Sequence, residues 1–102
     1  MKLPTRMRVG KKWYSVEVVE AMLHRRDMGR TFYPEQCIRL GRVSNVTGRK
    51  YTKDELADTF WHEVVHAILE DMGQFELNKN EAFVTQFANR LTVAIKTAKF
   101  DD

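Results

Sequence analysis

The sequence predicts an α+β fold, with a small antiparallel sheet of about three strands in the N-terminal half packed against two C-terminal helices. Three observations predict it. Residues 13–19 are rich in β-branched and aromatic side chains, as strands are. Thr52-Lys53-Asp54-Glu55 has the form of a helix-capping box. Apolar residues between positions 83 and 98 recur at helical spacing.

In chain order, Arg6-Met7-Arg8-Val9 alternates charged and apolar residues, Gly10-Lys11-Lys12 offers a turn, and residues 13–19 complete a hairpin. Residues 21–30 read as an irregular loop or the tail of the second strand, with Met28-Gly29-Arg30 as a turn and Tyr33-Pro34-Glu35 as a further break. Cys37-Ile38-Arg39-Leu40 alternates as a half-exposed third strand would. Residues 44–50 form a polar loop. The first helix starts at the cap Thr52 and runs to about Met72, with Gly73 as its left-handed stop. Asp54 and Glu55 suit the positive end of its dipole. Its buried stripe is expected to be Trp61, Val65, Ile68, Leu69 and Met72. The second helix starts near Asn78 or Asn80, both good caps, and turns Phe83, Val84, Phe87, Ala88, Leu91, Ala94, Ile95 and Ala98 to one side. The short connection makes the two helices roughly antiparallel neighbours.

A chain of 102 residues supports one core, so residues 1–102 are expected to be a single domain. No stretch approaches the apolar length of a membrane span, and no apolar segment follows Lys2 as a signal peptide requires. The single cysteine, Cys37, excludes an internal disulfide and fits a reducing cytosol. It reads as a small buried hydrophobe rather than a ligand or nucleophile. Nothing in the sequence sets the oligomeric state. The net charge of +3 is unevenly divided. Residues 1–53 hold 13 Lys/Arg against 4 Asp/Glu, and residues 54–102 hold 4 against 10. A divalent cation would offset part of the C-terminal negative charge. The basic half either keeps the surface solvated, which is the simpler reading, or attracts an acidic partner or a nucleic acid backbone.

The chemistry is carried by His62-Glu63-Val64-Val65-His66 on the first helix. Positions i and i+4 differ by ~40° in direction and ~6 Å in height, so two imidazoles can aim at one ion. Glu63 follows the first ligand and can reach a water on the same metal, taking its proton and passing it to a leaving amine. A catalytic zinc needs a third protein ligand. Glu81 is the first choice, because it lies at the edge of the apolar face of the second helix, where an ionised carboxylate needs a partner. If Asn78 is the cap, Glu81 is instead the third helical residue and serves the capping box. Glu70 is the competing ligand, although ~12 Å along the axis from His62; Asp71 and Glu76 are weaker. Asp58, one turn before His62, either orients an imidazole or answers the helix dipole. His24 reads as exposed surface. Tyr33 and Tyr51 are candidate donors to an oxyanion, with neither one placed by the sequence.

The run from His62 to Leu69, then Gly73, Asn80-Glu81-Ala82-Phe83-Val84 and Ala88-Asn89, resembles the gluzincins. More narrowly it resembles the minimal metallopeptidase-like proteins of tailed phages, which are similar to SprT-like and ImmA/IrrE-like domains. The resemblance covers about residues 5–98 and is carried by the motif helix and Glu81. It implies a minimal zincin-like fold, one Zn2+ held by His62, His66 and Glu81, Glu63 as general base, and a peptide or protein substrate. It implies that the substrate pairs backbone to backbone beside the strand at residues 37–41. It also implies a cytoplasmic location, the host cytoplasm if the protein is phage-encoded. The expected function is therefore zinc-dependent peptide hydrolysis. The alternative is a non-enzymatic protein in which zinc staples the domain and the basic half binds a host protein or nucleic acid.

Overall fold

The computed structural model describes residues 2–24 and 26–101. Four strands and three helices follow in the order β1 (Arg6–Val9), β2 (Lys12–Val19), β3 (Gly29–Phe32), β4 (Cys37–Gly41), α1 (Lys53–Asp71), α2 (Phe75–Lys79) and α3 (Glu81–Thr97). The fold is α+β, as expected, but the sheet is mixed and four-stranded, with spatial order β1-β2-β4-β3.

The expected hairpin forms from β1 and β2, with Val9 opposite Lys12. Gly10, the first of the two turn residues, has φ +59, which suits the two-residue turns that match strand twist. A Cβ there would also overlap the Asp71 carboxylate, so the turn rests against the end of α1.

The expectation of three antiparallel strands fails beyond this hairpin. Residues 29–32 form a strand, not a turn, and pair antiparallel with β4. β4 enters between β2 and β3 and runs parallel to β2. Gly29 misleads because glycine usually marks a turn. Here it permits close packing: a Cβ at this position would lie 2.8 Å from Thr59 Cγ2 on α1 and 2.9 Å from Leu40 Cδ2. The segment before β3 is tied down by Asn45, whose Nδ2 donates to the carbonyls of Met22 and His24 and whose Oδ1 accepts from Arg26 N–H. The break at residues 33–36 is observed as a turn, closed by Gln36 at φ +51. β4 is central rather than half-exposed, and Ile38 and Leu40 have no solvent-accessible surface.

α1 begins as expected. Thr52 accepts from Glu55 N–H at 3.1 Å, and Glu55 Oε1 accepts from Thr52 N–H at 2.9 Å. α1 ends in a Schellman arrangement, in which Gly73 (φ +72) donates to Glu70 O and Gln74 donates to Leu69 O. The buried stripe differs from expectation. Phe60, Val64 and Ala67 pack with Val9, Tyr14, Ile38 and Leu40 of the sheet. Val65 and Leu69 pack with Val84 and Ala88 of α3. Ile68 and Met72 are exposed, at 37% and 61%. A helix held between a sheet and a second helix buries two sectors, and one amphipathic stripe cannot describe it. Full burial of Phe60 contributes about 1.5–3 kcal/mol.

Two C-terminal helices were expected, and the short α2 intervenes between them. Asn80 is the cap of α3, its Oδ1 accepting from Phe83 N–H at 3.1 Å. On α3, Val84 and Ala88 are buried and Leu91 and Ile95 half-buried, whereas Phe87 and Ala94 are exposed. No described helix is long and apolar enough to cross a membrane.

Arg49 makes a two-pronged ion pair with Glu55, at 3.0 and 2.8 Å. Together with the Thr52 amide it holds the Glu55 carboxyl down at about 2, below its ordinary 4.5. A depressed carboxyl stabilises the fold above its unfolded pKa and loses that contribution as pH falls through the folded value. The melting temperature of wild type should therefore exceed that of Glu55→Gln at neutral pH, and the gap should close between pH 4.5 and about 2. Thermal unfolding followed by circular dichroism in the presence of chelator measures it; a gap independent of pH would contradict it.

Candidate metal centre

His62 and His66 lie one turn apart on α1, with ring centroids 5.0 Å apart and planes inclined at 67°. The chain leaves α1 at Gly73, passes through α2 and re-enters a helix at Asn80. Glu81 is thus the first residue of α3 and lies over the two rings. Its Oε2 is 3.2 Å from His62 Nε2 and its Oε1 is 3.1 Å from His66 Nε2. One ligand atom from each of the three residues falls within 4.8 Å of the others, and they form the one such cluster among the described residues. The alternative role of Glu81 in a capping box lapses, because Asn80 and not Asn78 caps the helix.

Asn78 has a different task. Its Oδ1 lies 2.6 Å from His66 Nδ1, and its Nδ2 donates to the Tyr33 hydroxyl at 3.0 Å. A carbonyl oxygen only accepts, so Nδ1 of His66 donates to Asn78 and Nε2 is the ring atom that faces Glu81. Contacts this close between imidazole nitrogens and a carboxylate are held by a positive charge, carried either by a ring proton or by a cation between the atoms. The donor set fits a divalent metal: two imidazoles and one carboxylate, with the tautomer of one imidazole fixed from behind.

Glu63 turns the other way and is buried, at 7% exposure. The hydroxyl of Thr31, on β3, lies 2.9 Å from both Glu63 Oε1 and Glu63 O. One hydroxyl has a single proton. The Thr31 hydroxyl donates to both acceptors, its one proton shared between the Glu63 carboxyl and carbonyl oxygens. Burial raises the Glu63 pKa, against the lowering effects of the Thr31 bond and the two histidines. Tyr33 is raised as well, chiefly by burial, so its phenol stays protonated.

The three residues and Glu63 line a cleft of about 640 Å3, together with the β3 edge, Tyr33 and Asp58. β3 is an edge strand. Gly41 N–H donates to Met28 O, and the antiparallel alternation from that pair turns the backbone of Gly29 and Thr31 toward the free edge. The substrate position expected beside residues 37–41 is therefore closed, because β4 is paired on both sides.

The other candidates fall outside the cluster. Glu70 acts electrostatically on Tyr14 and Tyr33, Asp71 adjoins the Gly10 turn, and Glu76 is exposed beside Lys79. Asp58 pairs with Lys96 at 3.4 Å. His24 is exposed, Cys37 is buried and free, and Tyr51 lies under the Arg49 guanidinium. Sequence reasoning missed Thr31 and the contact of Asn78 with His66. Thr31 stood in an unrecognised strand, and Asn78 carried only a capping signal. Comparison with protein-family models, with curated proteins and with solved structures gives no match.

The Asn78 bridge is testable. Asn78→Ala should lower zinc affinity by about 10–100-fold, read by competition with a chromophoric chelator. Unchanged affinity would show that His66 needs no support from behind.

Proposed function

We propose that this protein is a zinc-dependent metallopeptidase-like hydrolase, with His62, His66 and Glu81 as ligands and Glu63 as general base. The observation that carries the reading is the convergence of two Nε2 atoms and one carboxylate within 4.8 Å at a cleft that Glu63 also lines. Two imidazoles and a carboxylate are a donor set that zinc takes with a coordination position left open. When bound, zinc polarises a carbonyl and eases the ionisation of water.

The rest falls to the chain's own residues. Glu63, as carboxylate, takes a proton from the attacking water and returns it to the departing amine. Thr31 engages Oε1, which leaves Oε2 for the proton transfer. The Tyr33 hydroxyl accepts from Asn78, so its own proton is free to meet a developing oxyanion. An extended peptide can add to the free edge of β3, bonding to the backbone of Gly29 and Thr31. Such a strand would run past Glu63, because Thr31 holds both.

One observation favours a second reading. The ligands come from both α1 and α3, so a metal would also staple the two helices. A non-enzymatic zinc-stabilised binding protein would show loss of thermal stability on chelation and no turnover.

Glu63→Gln separates the two. It should retain the metal and lose peptide cleavage by about 10²–10⁴-fold, measured on a casein or fluorogenic-peptide substrate beside metal analysis. Undiminished cleavage would remove Glu63 from the mechanism, and absence of cleavage in wild type would favour the staple.

A further inference from the structure

The helices cover one face of the sheet. Alternation sends Met7, Val9, Tyr14, Val16, Ile38 and Leu40 into or against the core. The opposite face belongs to Arg6, Arg8, Trp13, Ser15, Glu17, Arg30, Phe32, Cys37 and Arg39. Register places them in rows. Arg6, Ser15, Cys37 and Phe32 stand in one row across all four strands. Arg8 and Trp13 stand opposite each other on one side, and Glu17, Arg39 and Arg30 form the row on the other.

The middle of the face carries small side chains, the exposed Ser15 and the buried Cys37, and aromatic rings flank it. Each ring has a guanidinium over it, Arg6 over Trp13 at 4.3 Å and Arg39 over Phe32 at 4.8 Å. Trp13 is half exposed, at 50%. The carboxylates here are few. Glu17 pairs with Arg39 at 3.1 Å, and Asp27 pairs with Arg30 at 2.8 Å; Glu35 stands at the β3–β4 turn. Arg6 and Arg8 have no described carboxylate in ion-pair range, and Lys11 adds exposed charge in the hairpin turn, whereas Lys12, in register with Val9, belongs to the other face.

We propose that this open sheet face is a binding platform for single-stranded nucleic acid. Unpaired arginines answer the phosphates, and the ring–guanidinium stacks at Trp13 and Phe32 answer the bases, which stack on aromatic and guanidinium planes alike. Duplex bases are already stacked and cannot reach a flat face. A second copy of the chain is disfavoured, because two like-charged faces would meet. An anionic lipid surface would use the charge but not the ring–guanidinium stacks. The face lies across the sheet from the metal centre, and the proposal does not rest on that centre.

The test is fluorescence anisotropy of a labelled oligothymidylate of about 20 nucleotides against the full chain at low salt. The same sequence as a duplex and phosphatidylserine–phosphatidylcholine vesicles serve as competitors. Single strands should bind, with affinity falling as salt rises, and should resist both competitors. Arg6→Glu/Arg8→Glu and, separately, Trp13→Ala should each weaken binding by about tenfold or more, while Trp13→Phe stays within about threefold. All these positions are exposed, and circular dichroism checks that the variants fold. Lys79→Glu/Lys99→Glu makes the same change of net charge away from the sheet and should leave affinity nearly unchanged. The proposal is overturned by absence of binding, by equal affinity for the duplex, by preference for vesicles, or by equal weakening in the Lys79/Lys99 control.

Discussion

The centre of this molecule is organised by an electrostatic constraint: the Nε2 atoms of His62 and His66 both face the oxygens of one carboxylate, Glu81, at 3.1–3.2 Å. Such a gathering is held by a positive charge, whether ring protons or a shared metal ion, and the three groups are spaced so that one metal ion could take a ligand atom from each. The surrounding architecture serves that gathering. α1 supplies two rings one turn apart, and the Gly73 stop and the short α2 reverse the chain. The Asn80 cap then starts α3 so that its first side chain lies above the rings. The contact between Val65 and Leu69 of α1 and Val84 and Ala88 of α3 fixes how far Glu81 stands from them.

Glu63 shows the same economy from the other side of the motif. A carboxyl buried in a small protein is costly unless it is neutral or hydrogen-bonded. Thr31 provides the bond, and in doing so joins α1 to the edge strand β3. The group that stands closest to the proposed chemistry therefore also registers the helix on the sheet. Gly29, two residues earlier, has no side chain, which lets the strand approach near enough for that bond. Packing and chemistry are set here by neighbouring residues of one short strand.

What could be read in the sequence was what depends on near neighbours. The capping box at Thr52 and Glu55, the Gly73 stop, the β1–β2 hairpin and the spacing of His62 and His66 are local patterns with local causes. β3 was not legible, since its glycine has a tertiary reason and four residues give too little alternation to outweigh it. The parallel pairing of β2 with β4 and the central place of Cys37–Gly41 depend on that missing strand. The buried stripe of α1 was misjudged at Ile68 and Met72 because two partners, not one, cover the helix. Glu81 was within reach of pattern reasoning, but its choice over a capping role turned on whether Asn78 or Asn80 is the cap. Asn78, freed from capping, bonds a histidine twelve residues earlier in the chain.

Whether a cation binds between the histidines and Glu81 is the central question. Elemental analysis of protein purified from zinc-supplemented culture, with His66→Ala and Glu81→Ala prepared in parallel, tests it most directly. The expected result is one zinc per chain in wild type and a large loss in both variants. A wild-type protein without metal, or variants that hold as much as wild type, would contradict it.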